Sequence, residues 1–228
     1  MRIRLVYFPV RAKAECIRMA LRFGKVTFED VTVTEYFGKA WSAGAKGETP
    51  FGGLPILVVD EEPPLAQSGA IMRYVCKTLV PSLTPVDPLM AARCDSLFEA
   101  SQELATGPTN VNPIVNVFKG DTYAAKRKEF FDLAPAKIAN LAKQLDASSG
   151  PFFLGPAPFY CDLSIYHVLS NTQLLEPRAL DGYAKIKEFM AQVAALPGIA
   201  DYFEERPDPV DIGTAPMLRA KAKRQKSE

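Results

Sequence analysis

Residues 54–74, LPILVVDEEPPLAQSGAIMRY, contain the pattern that decides the fold. The unbroken apolar run at 56–59 predicts a short strand that is buried on both faces. The charged turn at 60–64 ends this strand, because its two prolines lack the N–H that a strand ladder needs. Residues 65–66 then predict a brief returning strand. A helix follows, since its apolar residues are spaced along one helical face: Ile71, Tyr74, Val75 and Leu79.

Gln67 and Ser68 stand at the predicted start of this helix. Unpaired backbone N–H groups and the helix dipole favour a negative charge at such a point. A hydroxyl and an amide side chain placed there suit a ligand that carries a carboxylate. An ordinary helix cap is the alternative interpretation of the pair.

The composition is that of a globular protein. The chain has 228 residues, of which 48% are hydrophobic and 23% charged, and its net charge of +1 argues against nucleic acid as the main partner. No apolar run approaches the roughly 18 residues of a membrane span. The N-terminus, MRIRLVYF, lacks the apolar core of a signal peptide. We therefore expect a cytoplasmic protein without stable membrane association.

The four cysteines are widely spaced, and none belongs to a C-x-x-C pair. All of them fall on predicted helices with apolar neighbours: Cys16, Cys76, Cys94 and Cys161. Free thiols in a reducing cytosol explain this pattern better than disulfides or a zinc site. No metal is expected.

The N-terminal part predicts a strand at 2–8, a helix that follows Pro9, and a second strand at 29–34. This is a βαβ unit with a right-handed crossover. A weak helix is predicted over 35–46. With the central block, the order is that of a thioredoxin-like domain with a mixed four-stranded sheet, over residues 1–80.

Residues 81–88, PSLTPVDP, contain three prolines and are predicted to be a linker. Only helical patterns follow over 89–206, so the fold class is α/β plus an all-α bundle domain. Helices are expected at 89–117 with a break near Gly107-Pro108, at 121–147, at 163–175, around 186–193, and in a last short stretch to 206. Residues 207–228 are expected to be an extended basic tail, which is either a solvated end or a contact for anionic lipid or a partner.

Two motifs resemble cytosolic glutathione transferases. The LP-strand-turn-strand-QS-x-AI-x-RY block resembles the glutathione-binding half of that family. Residues 7–18, YFPVRAKAECIR, resemble the Y-F-x-x-R-G-x-A-E-x-I-R segment of its Tyr-type classes, most closely sigma. The resemblance covers about residues 1–206. It implies a homodimeric enzyme with glutathione as co-substrate, which attacks small apolar electrophiles, including hydroperoxides.

Tyr7 is the implied catalytic residue. A thiol with a pKa of about 8.5 is only a few per cent thiolate at neutral pH, so the enzyme must stabilise the sulfur anion. A hydroxyl aimed at the sulfur does this, and Tyr7 lies at the end of the first predicted strand. The alternative is a strand tyrosine whose ring fills the core. Because no cysteine stands here, disulfide exchange is disfavoured.

The resemblance also implies the contacts of glutathione. Gln67 and Ser68 would hold the γ-glutamyl carboxylate, and Leu54, before a cis Pro55, would pair its backbone with the cysteinyl unit. The remaining glutathione residues are expected to be Phe8, Lys13, Trp41, Lys46, Gly53 and, from the partner subunit, Glu103.

Several of these positions depart from the family pattern or have a plainer interpretation. Lys13 replaces the Arg that is usual at this position, and lysine lacks the two-pronged guanidinium that binds a carboxylate. Lys46 is shifted by one residue from the second cation of the family pattern, and the alternative is a solvated surface lysine. Trp41 is the tryptophan expected at the glycyl carboxylate; otherwise it is a shielding aromatic. Glu103 replaces an Asp of the family pattern, and an ordinary glutamate on the helix surface is an equally good interpretation. Phe8 and Val10 are expected to line the second-substrate pocket.

Asp162 and His167 lie on the helix predicted to be buried. Phe159 occupies the position of a family Ser or Thr, so half of a capping box is missing and Asp162 is interpreted as structural. His167, the sole histidine, is interpreted as a satisfied core residue.

Two functions compete with conjugation: binding of glutathione or apolar ligands without turnover, and a specific glutathione-dependent isomerisation.

Overall fold

A four-stranded mixed sheet organises the N-terminal part of the computed structural model, which describes residues 1–216 and 218–219. Its strands are β1 (Ile3–Tyr7), β2 (Glu29–Thr32), β3 (Ile56–Val59) and β4 (Leu65–Ala66). The order is β2-β1-β3-β4, with β1 parallel to β2 and antiparallel to β3, and β3 antiparallel to β4. The mixed sheet and both strands predicted from the central block are therefore confirmed.

Both faces of the sheet are covered, which explains the unbroken apolar run of β3. Leu57 faces the main core, where α1 (Glu15–Phe23) and α3 (Ser68–Tyr74) pack. Ile56 and Val58 face a smaller cluster, against which Tyr36 and Phe37 pack. Successive side chains of a strand point to opposite faces, so both sets must be apolar.

The second strand is shorter than predicted. It ends at Thr32, where α2 (Val33–Phe37) begins. The cause is a capping box: the Thr32 hydroxyl accepts the Glu35 N–H at 3.3 Å, and the Glu35 carboxylate accepts the Thr32 N–H at 2.8 Å. The weak helix predicted over 35–46 is wrong beyond Phe37, since two short 3₁₀ turns replace it at Trp41–Ala43 and Ala45–Glu48.

Residues 81–88 are more helical than predicted. A 3₁₀ turn covers Pro81–Leu83, and α4 (Pro88–Gln102) begins inside the segment. Proline is tolerated at the first helical position because its missing N–H has no partner there. Asp87 caps this helix by accepting the Met90 N–H at 2.8 Å. The domain boundary itself stays a prediction.

The remaining helices follow the predicted order. They are α5 (Val111–Asn116), α6 (Gly120–Asp146), α7 (Tyr160–Leu175), α8 (Ala184–Ala194) and α9 (Ile199–Glu205). A 3₁₀ turn at Gly107–Thr109 separates α4 from α5, which confirms the predicted break. Helix α7 is buried along nearly its whole length. Across the described ranges, no helix is both long and apolar enough to cross a membrane.

The described part of the predicted tail folds back on the helices. Strands β5 (Asp208–Pro209) and β6 (Leu218–Arg219) form an antiparallel pair. Between them, the Gly213 carbonyl accepts the Gly120 N–H at 2.9 Å. The other basic residues predicted for the tail lie outside the described residues: Lys221, Lys223, Arg224 and Lys226.

Gly198, before α9, is held against the end of α1. Its φ is +78°, and a Cβ there would lie 2.4 Å from the Arg22 carbonyl oxygen. We expect Gly198→Ala to lower the free energy of unfolding by about 2–4 kcal/mol, through the positive φ and the backbone clash together. Chemical denaturation measures this. Gly182→Ala, at a glycine with open space around it, is the matched control, and equal losses in both variants would contradict the prediction.

Candidate active site

Tyr7 is placed where a buried strand meets a short loop. It ends β1 and is 7% exposed. Its hydroxyl accepts the Lys13 backbone N–H at 3.4 Å. Burial raises the pKa of Tyr7, while the Lys13 N–H and the charge of Arg18 oppose that rise. The hydroxyl is therefore protonated at neutral pH and can donate to an anion.

An apolar cavity of about 520 Å³ opens beside Tyr7. Phe8 and Val10 line it, as do Ala12 and Lys13. The opposite wall was not predicted in detail, and comes from α5 and the C-terminal segment: Asn110, Asn112, Pro113, Asn116, Val117 and Pro216. Its volume is in the range of small-molecule sites.

The peptide bond between Leu54 and Pro55 is cis, as the resemblance implies. Pro55 is buried and Leu54 half-buried. The backbone polar groups of Leu54 make no hydrogen bond to other residues of the described chain. They are available to the backbone of a peptide ligand.

Gln67 is not an ordinary helix cap. It precedes α3 at the N-cap position, but its side chain makes no capping hydrogen bond. Its φ of +71° is rare for a residue with a side chain, and such conformations cluster at ligand-binding sites. Ser68 begins the helix and is partly exposed. Neither side chain is used in a hydrogen bond within residues 1–216 and 218–219.

Trp41 packs with its ring edge against Phe8, and Phe8 packs in the same way against Tyr7; both pairs of ring centroids are 5.5 Å apart. Lys13 and Lys46 are exposed, and within the described residues neither pairs with a carboxylate. Two unpaired cations are suited to a ligand carboxylate. Gly53 is also exposed.

Glu103 follows α4 and pairs with Lys137 of its own chain, 2.9 Å away. Its side chain is 67% exposed. The Glu103 carboxylate is therefore paired within its own subunit. Its predicted contact with the glutathione of the partner subunit stays a prediction.

A buried charge cluster behind Tyr7 was missed in the sequence. Glu15 is fully buried and meets Arg206 at 2.5 Å, the Tyr202 hydroxyl at 3.0 Å and Arg18 at 3.6 Å. Arg18 also pairs with Asp30 at 2.6 Å. The A-E-x-x-R spacing on α1 is the signal that could have revealed part of the cluster.

Arg18 also holds the loop after Tyr7. Its Nη1 donates to the carbonyls of Val10 at 2.9 Å and Arg11 at 3.3 Å. The pairing with Asp30 and Glu15 outweighs burial, and keeps the pKa of Arg18 above its ordinary value. A permanently charged, buried guanidinium therefore fixes the loop that carries Val10.

Asp162 and His167 are structural, as predicted. Asp162 accepts the N–H groups of Phe153 at 3.0 Å and Phe159 at 2.7 Å, and burial raises its pKa to about 6. His167 is buried, with Nε2 3.3 Å from Asn112 Oδ1, and burial lowers its pKa to about 4. All four cysteines are free and buried.

Comparisons with known proteins agree with this architecture. Residues 1–77 match the profile of the "Glutathione S-transferase, N-terminal domain", and residues 111–206 that of the "Glutathione S-transferase, C-terminal domain". Glutathione S-transferase 1 of Ascaris suum is 32% identical over 208 residues, which is 90% of this chain and 96% of that protein. Glutathione S-transferase Mu 2 of Mus musculus is 27% identical over 210 residues, 90% of this chain and 91% of that one.

A solved structure shows the same fold. The glutathione S-transferase from Ascaris lumbricoides superposes with a TM-score of 0.78 at 31% identity, and the match covers 91% of this chain and 98% of that one. A four-stranded mixed sheet followed by a set of helices, each matching one of the family's two domain profiles, defines a glutathione-dependent enzyme. The chain belongs to the glutathione S-transferase family, and it is a glutathione transferase.

Proposed function

We propose that Tyr7 donates a hydrogen bond to the sulfur of bound glutathione and so stabilises the thiolate. The thiol proton leaves to solvent, the sulfur attacks an electrophilic carbon, and the leaving group departs with its electron pair as the thioether forms. The observation that carries this proposal is the buried Tyr7 side chain at the wall of the apolar cavity, where burial raises the pKa of its hydroxyl. A preorganised donor at a developing or resident anion is an efficient catalytic device.

We propose that glutathione lies along the edge of the sheet from α3 to the Trp41 turn. Gln67 and Ser68 hold the γ-glutamyl carboxylate, and the free backbone of Leu54 pairs with the cysteinyl unit. The glycyl carboxylate meets Lys13 and Lys46, because these are cations without acidic partners in the described chain. Phe8, Trp41, Gly53 and Pro55 complete this surface.

The second substrate occupies the apolar cavity in this proposal, against Phe8 and Val10. Its lining admits a small apolar electrophile, and a hydroperoxide is an alternative second substrate. In that reaction the thiolate attacks the peroxide oxygen, and a second glutathione then completes the disulfide and the reduction to an alcohol and water.

We further propose a Tyr-type enzyme most similar to the sigma class, and this rests on the residues of the 7–18 motif. The relatives carry different class labels, such as Mu, so the class is tested by substrate profile.

The four free, buried cysteines support a reducing, cytoplasmic location.

The proposed assembly is a homodimer in which Glu103 of the partner subunit reaches the γ-glutamyl amine. Sedimentation should then give a mass about twice the 25.0 kDa of the chain. In a dimer, Glu103→Gln should weaken glutathione binding, whereas a monomer with undiminished affinity would exclude this role.

Conjugation of glutathione to a chlorodinitrobenzene tests the function directly. We expect saturable turnover in glutathione, and a calorimetric titration should show glutathione binding without the electrophile. A substrate panel that includes an alkyl hydroperoxide tests whether the enzyme also reduces hydroperoxides. Binding of glutathione without turnover on any electrophile would overturn the catalytic proposal.

A further inference from the structure

Two buried asparagines of α5 interrupt the lining of the apolar cavity beside Tyr7. Asn112 is 5% exposed and Asn116 is 8% exposed, and both line the cavity. Asparagine is usually found on protein surfaces, because burying its amide is unfavourable unless each polar atom finds a partner. The hydrogen bonds of these two side chains therefore show which of their polar atoms are used within the protein and which are left for a ligand.

The amide of Asn112 is used through its oxygen. Asn112 Oδ1 accepts a hydrogen bond from Asn171 Nδ2 at 3.3 Å and lies 3.3 Å from His167 Nε2, so two residues of the buried helix α7 fix it. The Nδ2 group lies on the other side of the amide. It makes no hydrogen bond within residues 1–216 and 218–219.

The amide of Asn116 is used through its nitrogen. Asn116 Nδ2 donates to the Asn112 carbonyl, one helical turn earlier, at 2.7 Å. This bond fixes the orientation of the amide, and its Oδ1 accepts no hydrogen bond from any residue that the structure describes. Asn112 thus leaves a donor without a partner, and Asn116 leaves an acceptor.

Both of these atoms open on the cavity. In the described part of the chain, the buried side-chain nitrogens and oxygens that lack a partner belong to Arg4 and Arg11. Asn112 Nδ2 and Asn116 Oδ1 are not among them, so each is open to a solvent molecule. Because both side chains are more than nine-tenths buried and line the cavity, we place that opening in the cavity.

The two side chains are also neighbours. Asn112 and Asn116 are four residues apart on α5, so they lie on one face of the helix with Cβ atoms about 5–6 Å apart. This spacing is within reach of one small polar group of a ligand.

We propose that Asn112 and Asn116 are specificity-determining residues of the second-substrate cavity, and that they select an apolar electrophile that carries a hydroxyl group. The hydroxyl oxygen accepts a hydrogen bond from Asn112 Nδ2, and its O–H donates to Asn116 Oδ1. Phe8 and Val10 contact the apolar body of the substrate. A few placed polar groups in an otherwise apolar pocket are what orient a ligand. This inference rests on the proposed second-substrate site.

A hydroxyl suits this pair of atoms better than a carbonyl or a carboxylate does. A carbonyl oxygen accepts from Asn112 but has no hydrogen to donate to Asn116, and a carboxylate would place a negative charge against the Asn116 oxygen. A substrate without any polar group would displace water from both atoms and leave them unpaired, which is unfavourable.

The first test uses substrates that differ only in the hydroxyl. The compounds 4-(hydroxymethyl)benzyl chloride and 4-ethylbenzyl chloride have nearly the same shape, and glutathione displaces chloride from both. The 3-substituted pair covers the other orientation of the ring. For each compound, kcat/KM is divided by the rate constant of the uncatalysed reaction, and the discrimination is the ratio of the hydroxylated to the ethyl compound. We expect Asn116→Leu and Asn112→Leu each to lower the discrimination of the preferred pair by about threefold to tenfold, the effect of one hydrogen bond.

Asn171→Leu is the matched control for Asn112→Leu. Asn171 is 1% exposed and is not part of the cavity lining, and its side chain contacts Asn112 and His167. The control disturbs the same buried network but removes no group from the cavity, so we expect its discrimination to stay within about twofold of wild type. Equal losses in Asn171→Leu and Asn112→Leu would overturn the role of Asn112.

Asn116→Leu keeps the proposal falsifiable should the Asn112 variant fold poorly. Its only side-chain hydrogen bond within the described ranges is the one to the Asn112 carbonyl, so it stands outside the contacts with α7. A discrimination that Asn116→Leu leaves at the wild-type value would overturn the proposal.

A readout without glutathione keeps this inference separate from the proposed function. Benzyl alcohol and the isosteric ethylbenzene are titrated into the free protein, and their Kd values are measured by nuclear magnetic resonance. We expect benzyl alcohol to shift the side-chain amide signal of Asn112, and Asn116→Leu to weaken benzyl alcohol about threefold to tenfold relative to ethylbenzene. This result in a protein that conjugates no electrophile would support the hydroxyl site and reject the proposed function. Turnover of both benzyl chlorides with a discrimination that neither leucine variant alters would reject the hydroxyl site alone.

Discussion

Tyr7→Phe is expected to lower kcat/KM for conjugation by about 10²-fold at neutral pH, which is the usual effect of removing one preorganised donor from an anion. The pKa of bound glutathione should rise by about 2, since each pKa unit corresponds to 1.36 kcal/mol. The Kd of glutathione should change little, because the side chains proposed to hold its carboxylates remain. The ring stays packed against Phe8, so the fold should not change.

The matched control is Tyr36→Phe, which removes a hydroxyl from a ring that packs on the other face of the sheet. The pKa of the bound thiol is measured by ultraviolet absorbance of the thiolate during a pH titration. A Tyr7→Phe enzyme with the wild-type rate would assign thiolate stabilisation to another donor. A variant that no longer binds glutathione would make Tyr7 a binding residue instead.

The elements that sequence reasoning predicted best are those encoded by neighbouring residues. The strand at Ile56–Val59 follows from four apolar residues before a turn, and the break after α4 follows from Gly107-Pro108. The second strand was predicted too long because the T-x-x-E signal of Thr32 and Glu35 was overlooked. A local capping box there overrides the β-propensity of the residues that follow.

The residues of the candidate site also fall into two groups: those in short contiguous motifs, which the sequence predicts, and those that only the packing of distant segments brings together. Tyr7, Pro55 and Ser68 stand in contiguous motifs, so they could be proposed from the sequence, although their contacts with glutathione remain proposals. The cavity wall from α5 and Pro216 depends on how distant segments pack. Glu15 meets Arg206 across 191 positions of sequence. No local periodicity encodes such a pairing, which only the packing of α9 on α1 creates.

Glu15→Gln is expected to produce the largest loss of stability, about 3–5 kcal/mol in the free energy of unfolding. The glutamine has nearly the same shape but leaves the guanidinium of Arg206 without its carboxylate, although that group is only 11% exposed. Burying an unpaired charge costs far more than the net gain from the pair. Glu205→Gln is the control, because that carboxylate is 67% exposed and 3.8 Å from Arg22, and we expect at most about 1 kcal/mol.

The pH dependence gives Glu15→Gln a second test. Burial alone would raise the pKa of Glu15, but the charges of Arg206 and Arg18 outweigh it and hold the pKa below its ordinary value of 4.5. A carboxylate whose pKa is lower in the folded state stabilises the fold above the unfolded-state pKa, and this stabilisation is lost as the pH falls through the folded-state value. The difference between wild type and Glu15→Gln, measured by chemical denaturation, should therefore be constant from about pH 6 to 8 and shrink below about pH 4.5. A difference that instead grew on acidification would mean that Glu15 is protonated in the folded protein, and that the arginines around it are balanced by other groups.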